Sequence, residues 1–290
     1  MDHHPKFNDW LMLLLLALIW GSSFILMKEG LKAFRPEEVA TLRIVITAIV
    51  LVPFAITRMK TVTRKKTGVI LLQGLFGNFL PAFLFTAAQS HIESSIAGIL
   101  NSLSSVWVLI IGLLFFNAPF KLIRVIGILF ALGGAVMLVL LQPSHGATSN
   151  SMFSLLIVVA TISYGLAANI TKKYLHDVHP ITIVSISFSI VLIPFLIYLF
   201  STDFISVMKS NPQADASLGF ITVLACMGSA LASVIFNRLI HRTSTLFASS
   251  VVYLIPIVAL FWGMLDGEVI QMIDFAGMGL IFLGVYLISR

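Results

Sequence analysis

Ten apolar stretches, each long enough to cross a bilayer as a helix, divide this chain at 10–28, 38–57, 67–89, 94–116, 122–141, 152–171, 180–200, 217–238, 245–265 and 271–289. A spanning helix takes roughly 17–25 predominantly apolar residues. In lipid every backbone polar group must be satisfied inside the protein, which leaves helices or a closed barrel. Barrel strands alternate with a period of two, and these Gly-containing runs do not. The expected fold class is therefore an all-α integral membrane protein with ten transmembrane helices. Composition points the same way, with 59% apolar and only 10% charged residues, against about 25% charged in soluble domains.

The formal charge of +6 does not read as a nucleic-acid footprint, because the basic residues sit in short clusters between apolar runs. Loop charge instead predicts orientation. With the N-terminus inside, thirteen Lys and Arg fall on the cytoplasmic side, the run from Arg58 to Lys66 among them, and Lys28, Lys32, Arg35 and Lys209 fall on the other. That bias requires ten alternating segments and places both termini in the cytoplasm. Trp20-Gly21-Ser22-Ser23-Phe24 is a poor small-residue cleavage site, so the first segment is expected to be a retained helix. The single cysteine, Cys226, rules out an intrachain disulfide.

The chain also repeats itself. A shift of 144 residues brings Trp20-Gly21 onto Tyr164-Gly165 and Pro36 onto Pro180. A shift of 150 brings Ser94 onto Ser244, Gly127 onto Gly277 and Gly134 onto Gly284. The difference is absorbed near Asn211-Pro212-Gln213. The expected organisation is a first five-helix repeat over 1–141, a linker over 142–150 containing Gln142-Pro143-Ser144-His145-Gly146, and a second repeat over 151–290. Five is odd, so the second repeat would insert upside down. Inverted repeats with a midplane site between the halves are common in secondary transporters. The glycine pairs, seven residues apart, suit close helix packing.

These residues resemble the drug/metabolite transporter superfamily in its ten-helix EamA-type branch. The resemblance rests on Trp20-Gly21-Ser22-Ser23-Phe24, on Pro36 followed by Arg43, on Tyr253-Leu254-Ile255-Pro256 leading to Gly267-Glu268, and on the stretch from Gly277 to Gly284. It covers the whole chain. The first half departs where Ser105-Val106 stands in place of a frequent proline and Asn117-Ala118 in place of the Gly-Glu pair, which puts a symmetric role for the halves in question. The resemblance implies export of amino acids, metabolites or drugs, and a bacterial inner membrane.

Intramembrane polar residues are costly and often mark pathways. Polar stripes run along the third segment (Gln73, Gly77, Asn78), the fourth (Ser94, Ser95, Asn101, Ser102, Ser105), the sixth (Ser163, Tyr164, Asn169), the eighth (Ser229, Ser233, Asn237) and the ninth (Ser249, Ser250, Tyr253). The expected substrate-binding residues are Trp20, Phe24, Asn78, Asn101, Ser105, Tyr164, Asn169, Asn237 and Tyr253, around a central cavity with Trp107 as a further aromatic wall. Serines also line ordinary helix contacts, and Trp107 could instead face lipid. Arg43 lies inside a helix body. It could attract a carboxylate, but its shallow depth favours snorkelling or a structural pair with Glu38, Glu93 or Glu268. Glu93 is the nearest candidate for a proton relay, since no Asp or Glu sits mid-helix. Glu268 is expected to have a loop or packing role, and Trp262 to anchor at the interface.

His176 and His179 lack the further ligands a metal needs, and no phosphate-binding loop or Gly-x-Ser-x-Gly elbow occurs, so neither metal nor cofactor is expected. The leading expectation is a secondary transporter, not an enzyme, exporting small organic metabolites such as amino acids by alternating access. Its expected partners are a small-molecule substrate and the lipid bilayer, with no nucleic acid, in a monomer or weak dimer. The alternative is a membrane-embedded enzyme acting on a lipid-linked substrate.

Overall fold

The computed structural model describes residues 6–116, 121–141, 151–268 and 270–289. Asn117-Ala118 and the 142–150 linker lie outside them. Among the described residues there are helices and no strands. The main helices are α1 (Phe7–Gly30), α2 (Pro36–Arg58), α3 (Arg64–Gln89), α4 (Ser94–Phe115), α5 (Leu122–Leu141), α6 (Ser151–Tyr174), α7 (Pro180–Ser201), α8 (Ala214–Arg242), α9 (Phe247–Leu265) and α10 (Met272–Ser289). A short helix, Phe204–Ser210, occupies the polar connection between α7 and α8.

Eight of these helices are long and apolar enough to cross a membrane, and α5 and α10 are apolar over the shorter spans Leu122–Leu138 and Met272–Ile288. Their outward faces are as apolar as their inward ones. On α1, Leu13 and Leu16 are buried while Leu14 and Leu18 are 49% and 58% exposed. An exposed leucine surface of this kind is compatible with lipid rather than water. The protein is an integral membrane protein.

Helix starts follow local chemistry. Proline opens both α2 and α7, where its missing N–H would have had no partner and its fixed φ already suits a helix. At α2 the Glu38 carboxylate also accepts the Arg35 backbone N–H at 3.0 Å. Both α3 and α8 are interrupted by a widened π-helical turn, at Leu75–Phe79 and Leu224–Leu231. Such turns shift the backbone ladder to i→i+5 bonds and often accompany functional sites.

Helix α2 runs along α7, and α5 along α10. Helix α1 packs on α8 and α9, while α6 packs on α3 and α4. Small residues permit the closest approaches: a Cβ on Gly165 of α6 would lie 2.7 Å from the Trp107 backbone of α4. Long-range ion pairs tie the first half to the second. They include Asp9–Arg242 and Lys66–Asp177 at one end, and Lys28–Asp266, Lys28–Glu268 and Arg35–Asp203 at the other.

The Gly267-Glu268 pair has a structural task. Gly267 takes a φ of +82°, which a side chain would resist, and this turns Glu268 back into the protein. Its carboxylate accepts the Ser94 and Ser95 backbone N–H groups at 2.9 and 3.0 Å and the Lys28 ammonium at 2.9 Å. It thereby satisfies the otherwise unpartnered start of α4 and complements the positive end of its dipole. Gly263 makes room, since a Cβ there would lie 2.5 Å from Glu268 Oε2. Burial pushes the Glu268 pKa up, but the Lys28 ammonium and the Ser95 and Ser94 donors outweigh it and hold the carboxyl below the usual range. Its contribution to stability is thus fully present above the unfolded glutamate value of about 4.3 and is lost as pH falls through the lower native value. Glu268→Gln is expected to cost about 2 kcal/mol at neutral pH. Thermal melts of the two proteins should draw together as pH falls from the unfolded value through the lowered native one; a difference that did not shrink with acidification would refute the charge-based account.

Candidate functional site

The two π-helical turns face one another across a cavity of about 110 Å³. All of α1–α4 and α6–α9 contribute to its walls, and no described residue of α5 or α10 does. Side chains of the first half reach carbonyls of the α8 turn: Trp20 Nε1 donates to the Gly228 carbonyl at 2.9 Å, and Thr47 Oγ1 to that of Ala225 at 3.1 Å. From α3, Asn78 accepts a hydrogen bond from Ser233 at 3.1 Å. Neither half closes the cavity alone.

Seven of the residues selected from sequence line this space: Trp20, Phe24, Arg43, Asn78, Asn101, Tyr164 and Asn237. The Asn237 amide donates to the Ser233 carbonyl at 2.8 Å and its oxygen accepts from Thr171 at 3.3 Å. Arg43 Nε donates to Ser229 Oγ at 2.6 Å. Among the described residues Arg43 has no carboxylate within ion-pair distance, so Glu38, Glu93 and Glu268 are not its partners. Glu38 instead caps its own helix and Glu268 caps α4.

The other four candidates lie outside the cavity lining. Ser105 donates to the Ser102 carbonyl at 3.2 Å and hydrogen-bonds Tyr253. Asn169 is a strap between helices, donating to the Val108 carbonyl of α4 at 2.9 Å and to Gly165 of its own helix at 2.8 Å. Glu93 stands at the N-terminal boundary of α4. Trp107 is also off the lining, and its indole nitrogen is buried with no partner among the described residues. Trp262 is 37% exposed and donates to Ser22 Oγ at 2.9 Å, joining α9 to α1.

Gln73, Ser229 and Ser233 are lining residues that belong to the polar stripes but were not singled out as site residues. Their signal was the helical spacing Ser229–Ser233–Asn237 and the placing of Gln73 one turn and a half before Asn78. Ser23, Ser104 and Thr171 carried no signal beyond being small hydroxyls, and each spends its hydroxyl on a partner inside the bundle.

A family model described as the EamA-like transporter family matches this sequence twice, over residues 10–140 and 151–290. The chain belongs to that family. It is a transporter of the drug/metabolite transporter superfamily. A relative in Archaeoglobus fulgidus, described as an uncharacterized transporter, is 27% identical over 284 residues, 98% of this chain and 99% of that one. A Salmonella typhimurium protein described as a probable amino-acid metabolite efflux pump is 26% identical, covering 97% of this chain and 94% of its own. The Escherichia coli inner membrane transporter YedA is 25% identical across 94% of this chain and 88% of its own. A solved crystal structure superposes with a TM-score of 0.69 over 98% of this chain and 96% of the other, at 14% identity; that likeness concerns fold alone. In this EamA-family chain the cavity walls come from both matched segments, with α1–α4 in the first and α6–α9 in the second.

Proposed function

We propose that this protein exports small organic metabolites, amino acids or related amphiphilic compounds, across a bacterial inner membrane by alternating access at the cavity between two inverted five-helix repeats. In this reading 1–141 and 151–290 are the repeats, 142–150 joins them, ten helices span the membrane, and both termini are cytoplasmic. The observation that carries the reading is the cavity itself, enclosed by four helices from each half and lined by aromatic rings and polar side chains. Such a mixture gives an amphiphilic solute a surface for its apolar part and hydrogen-bond partners for the rest.

Several features support the inverted arrangement. The packing of α1 on α8 and α9 is mirrored by that of α6 on α3 and α4. The α3 turn at 75–79, moved by the 150-residue offset, falls within the α8 turn at 224–231. Ion pairs joining the halves at both ends of the bundle suit halves that rock against each other, one set opening as the other closes. The amino-acid assignment draws on the Salmonella typhimurium relative.

Everted membrane vesicles containing the protein should accumulate labelled phenylalanine or leucine faster than vesicles without it. No protein-dependent accumulation of any common amino acid would remove the amino-acid assignment. A parallel melt of the purified protein widens the search, because a solute at 100 times its Kd stabilises the folded state by about 2.7 kcal/mol.

A further inference from the structure

We propose that Arg43 is the anion anchor of the cavity, so that the protein selects solutes bearing a carboxylate, zwitterionic or anionic, over cations of the same shape. The inference rests on the transport reading above and specifies the chemistry of its substrate. Three observations carry it. Arg43 is the only charged residue among the described residues that line the cavity. No described carboxylate is near enough to neutralise it, although an isolated charge among membrane helices is costly to keep. The one hydrogen bond of its side chain among the described residues, to Ser229, uses Nε and leaves the paired terminal nitrogens of the guanidinium without a partner there. That planar fork matches a carboxylate with two parallel hydrogen bonds.

The remaining lining sharpens the preference. An ammonium entering this space meets only neutral acceptors. One is the Gln73 side-chain oxygen, which is buried and has no partner among the described residues. A neutral acceptor can hydrogen-bond an amino group but cannot cancel its charge, whereas Arg43 can cancel that of a carboxylate. Zwitterions therefore fit, monoanions fit, and monocations meet uncompensated repulsion. The aromatic walls Trp20, Phe24, Phe85, Tyr164, Phe188 and Phe236 suit an apolar or aromatic remainder on the solute.

Four matched probes test the assignment on the purified full chain by thermal shift titration: L-phenylalanine, 3-phenylpropionate, 3-phenylpropanol and phenethylamine. The two carboxylates should bind at least about 10-fold more tightly than the amine, with the alcohol between them. Arg43→Gln should weaken the carboxylates by about 10- to 100-fold and leave the alcohol unchanged, and Arg43→Lys should recover part of the loss. Equal binding of acid and amine by the wild type overturns the anchor and leaves the transport reading intact. Binding of none of the four overturns the anchor and the amino-acid assignment together. The wild-type series decides the matter even if Arg43→Gln does not fold.

Discussion

Gly284→Val is expected to lower the stability of the protein by about 3 kcal/mol, while Gly279→Ala on the same helix leaves it almost unchanged. The difference follows from what an added Cβ would meet. At Gly284 it would run into the Gly127 carbonyl oxygen and the Ala131 backbone nitrogen, with the Ala131 Cβ at 2.8 Å. Backbone atoms cannot rotate away as a side chain can, so relief requires α5 and α10 to separate along their length. The partner site behaves alike, because a Cβ on Gly134 would come within 2.6 Å of the Gly277 carbonyl. At Gly279 and Gly133 nothing lies within 4 Å. Between membrane helices the attraction is mainly close packing rather than exclusion of water, so forced separation forfeits most of it. Melting of detergent-purified protein measures the effect; a Gly284→Val protein that melted with the wild type would show that α5 and α10 are not held together through these glycines. Because α5 and α10 lie off the cavity, any Gly284→Val protein that does fold should retain ligand binding.

The same four glycines illustrate how far the sequence can be read. Their seven-residue spacing predicted close packing, and the structure pairs them crosswise, Gly127 with Gly284 and Gly134 with Gly277. Helical periodicity identifies a face but not the register of the helix that meets it. The apolar runs delimited the helices to within a few residues because length and hydropathy are properties of a single segment. Arg43 is the opposite case. Its partner Ser229 is 186 residues away, and a helix body offers an arginine several directions that sequence alone cannot rank. The π-helical turns were equally hidden, since Leu75–Phe79 and Leu224–Leu231 carry no proline and no composition that separates them from ordinary helix. Gly267-Glu268 was visible as a motif, but its action on the start of α4 depends on a fold that returns the loop after α9 to Ser94.

Two asparagines of similar appearance in the sequence are expected to respond in opposite ways to replacement by leucine. Asn78→Leu should reduce flux at least about 10-fold, the loss associated with one hydrogen bond to a charged group, and barely alter melting. Asn169→Leu should destabilise the protein while its folded fraction still transports. Asn78 lines the cavity, and its one bond across the bundle is the hydrogen bond accepted from Ser233 at 3.1 Å. Interhelical hydrogen bonds between membrane helices average only about 0.6 kcal/mol, and leucine matches the apolar surroundings. The amide therefore matters for stability far less than for any polar solute it faces. Asn169 is buried away from the lining, and its amide nitrogen donates to the Val108 and Gly165 carbonyls at 2.9 and 2.8 Å. Losing that nitrogen removes the hydrogen bond that ties α6 to α4, where the Trp107 backbone already crowds Gly165. Flux per folded molecule in proteoliposomes, set beside the melting curve of each variant, separates the two roles. If both variants lost flux in proportion to stability, the cavity would be no more than a packing gap at these positions. If only Asn78→Leu lost flux at constant stability, its amide would belong to the path of the solute.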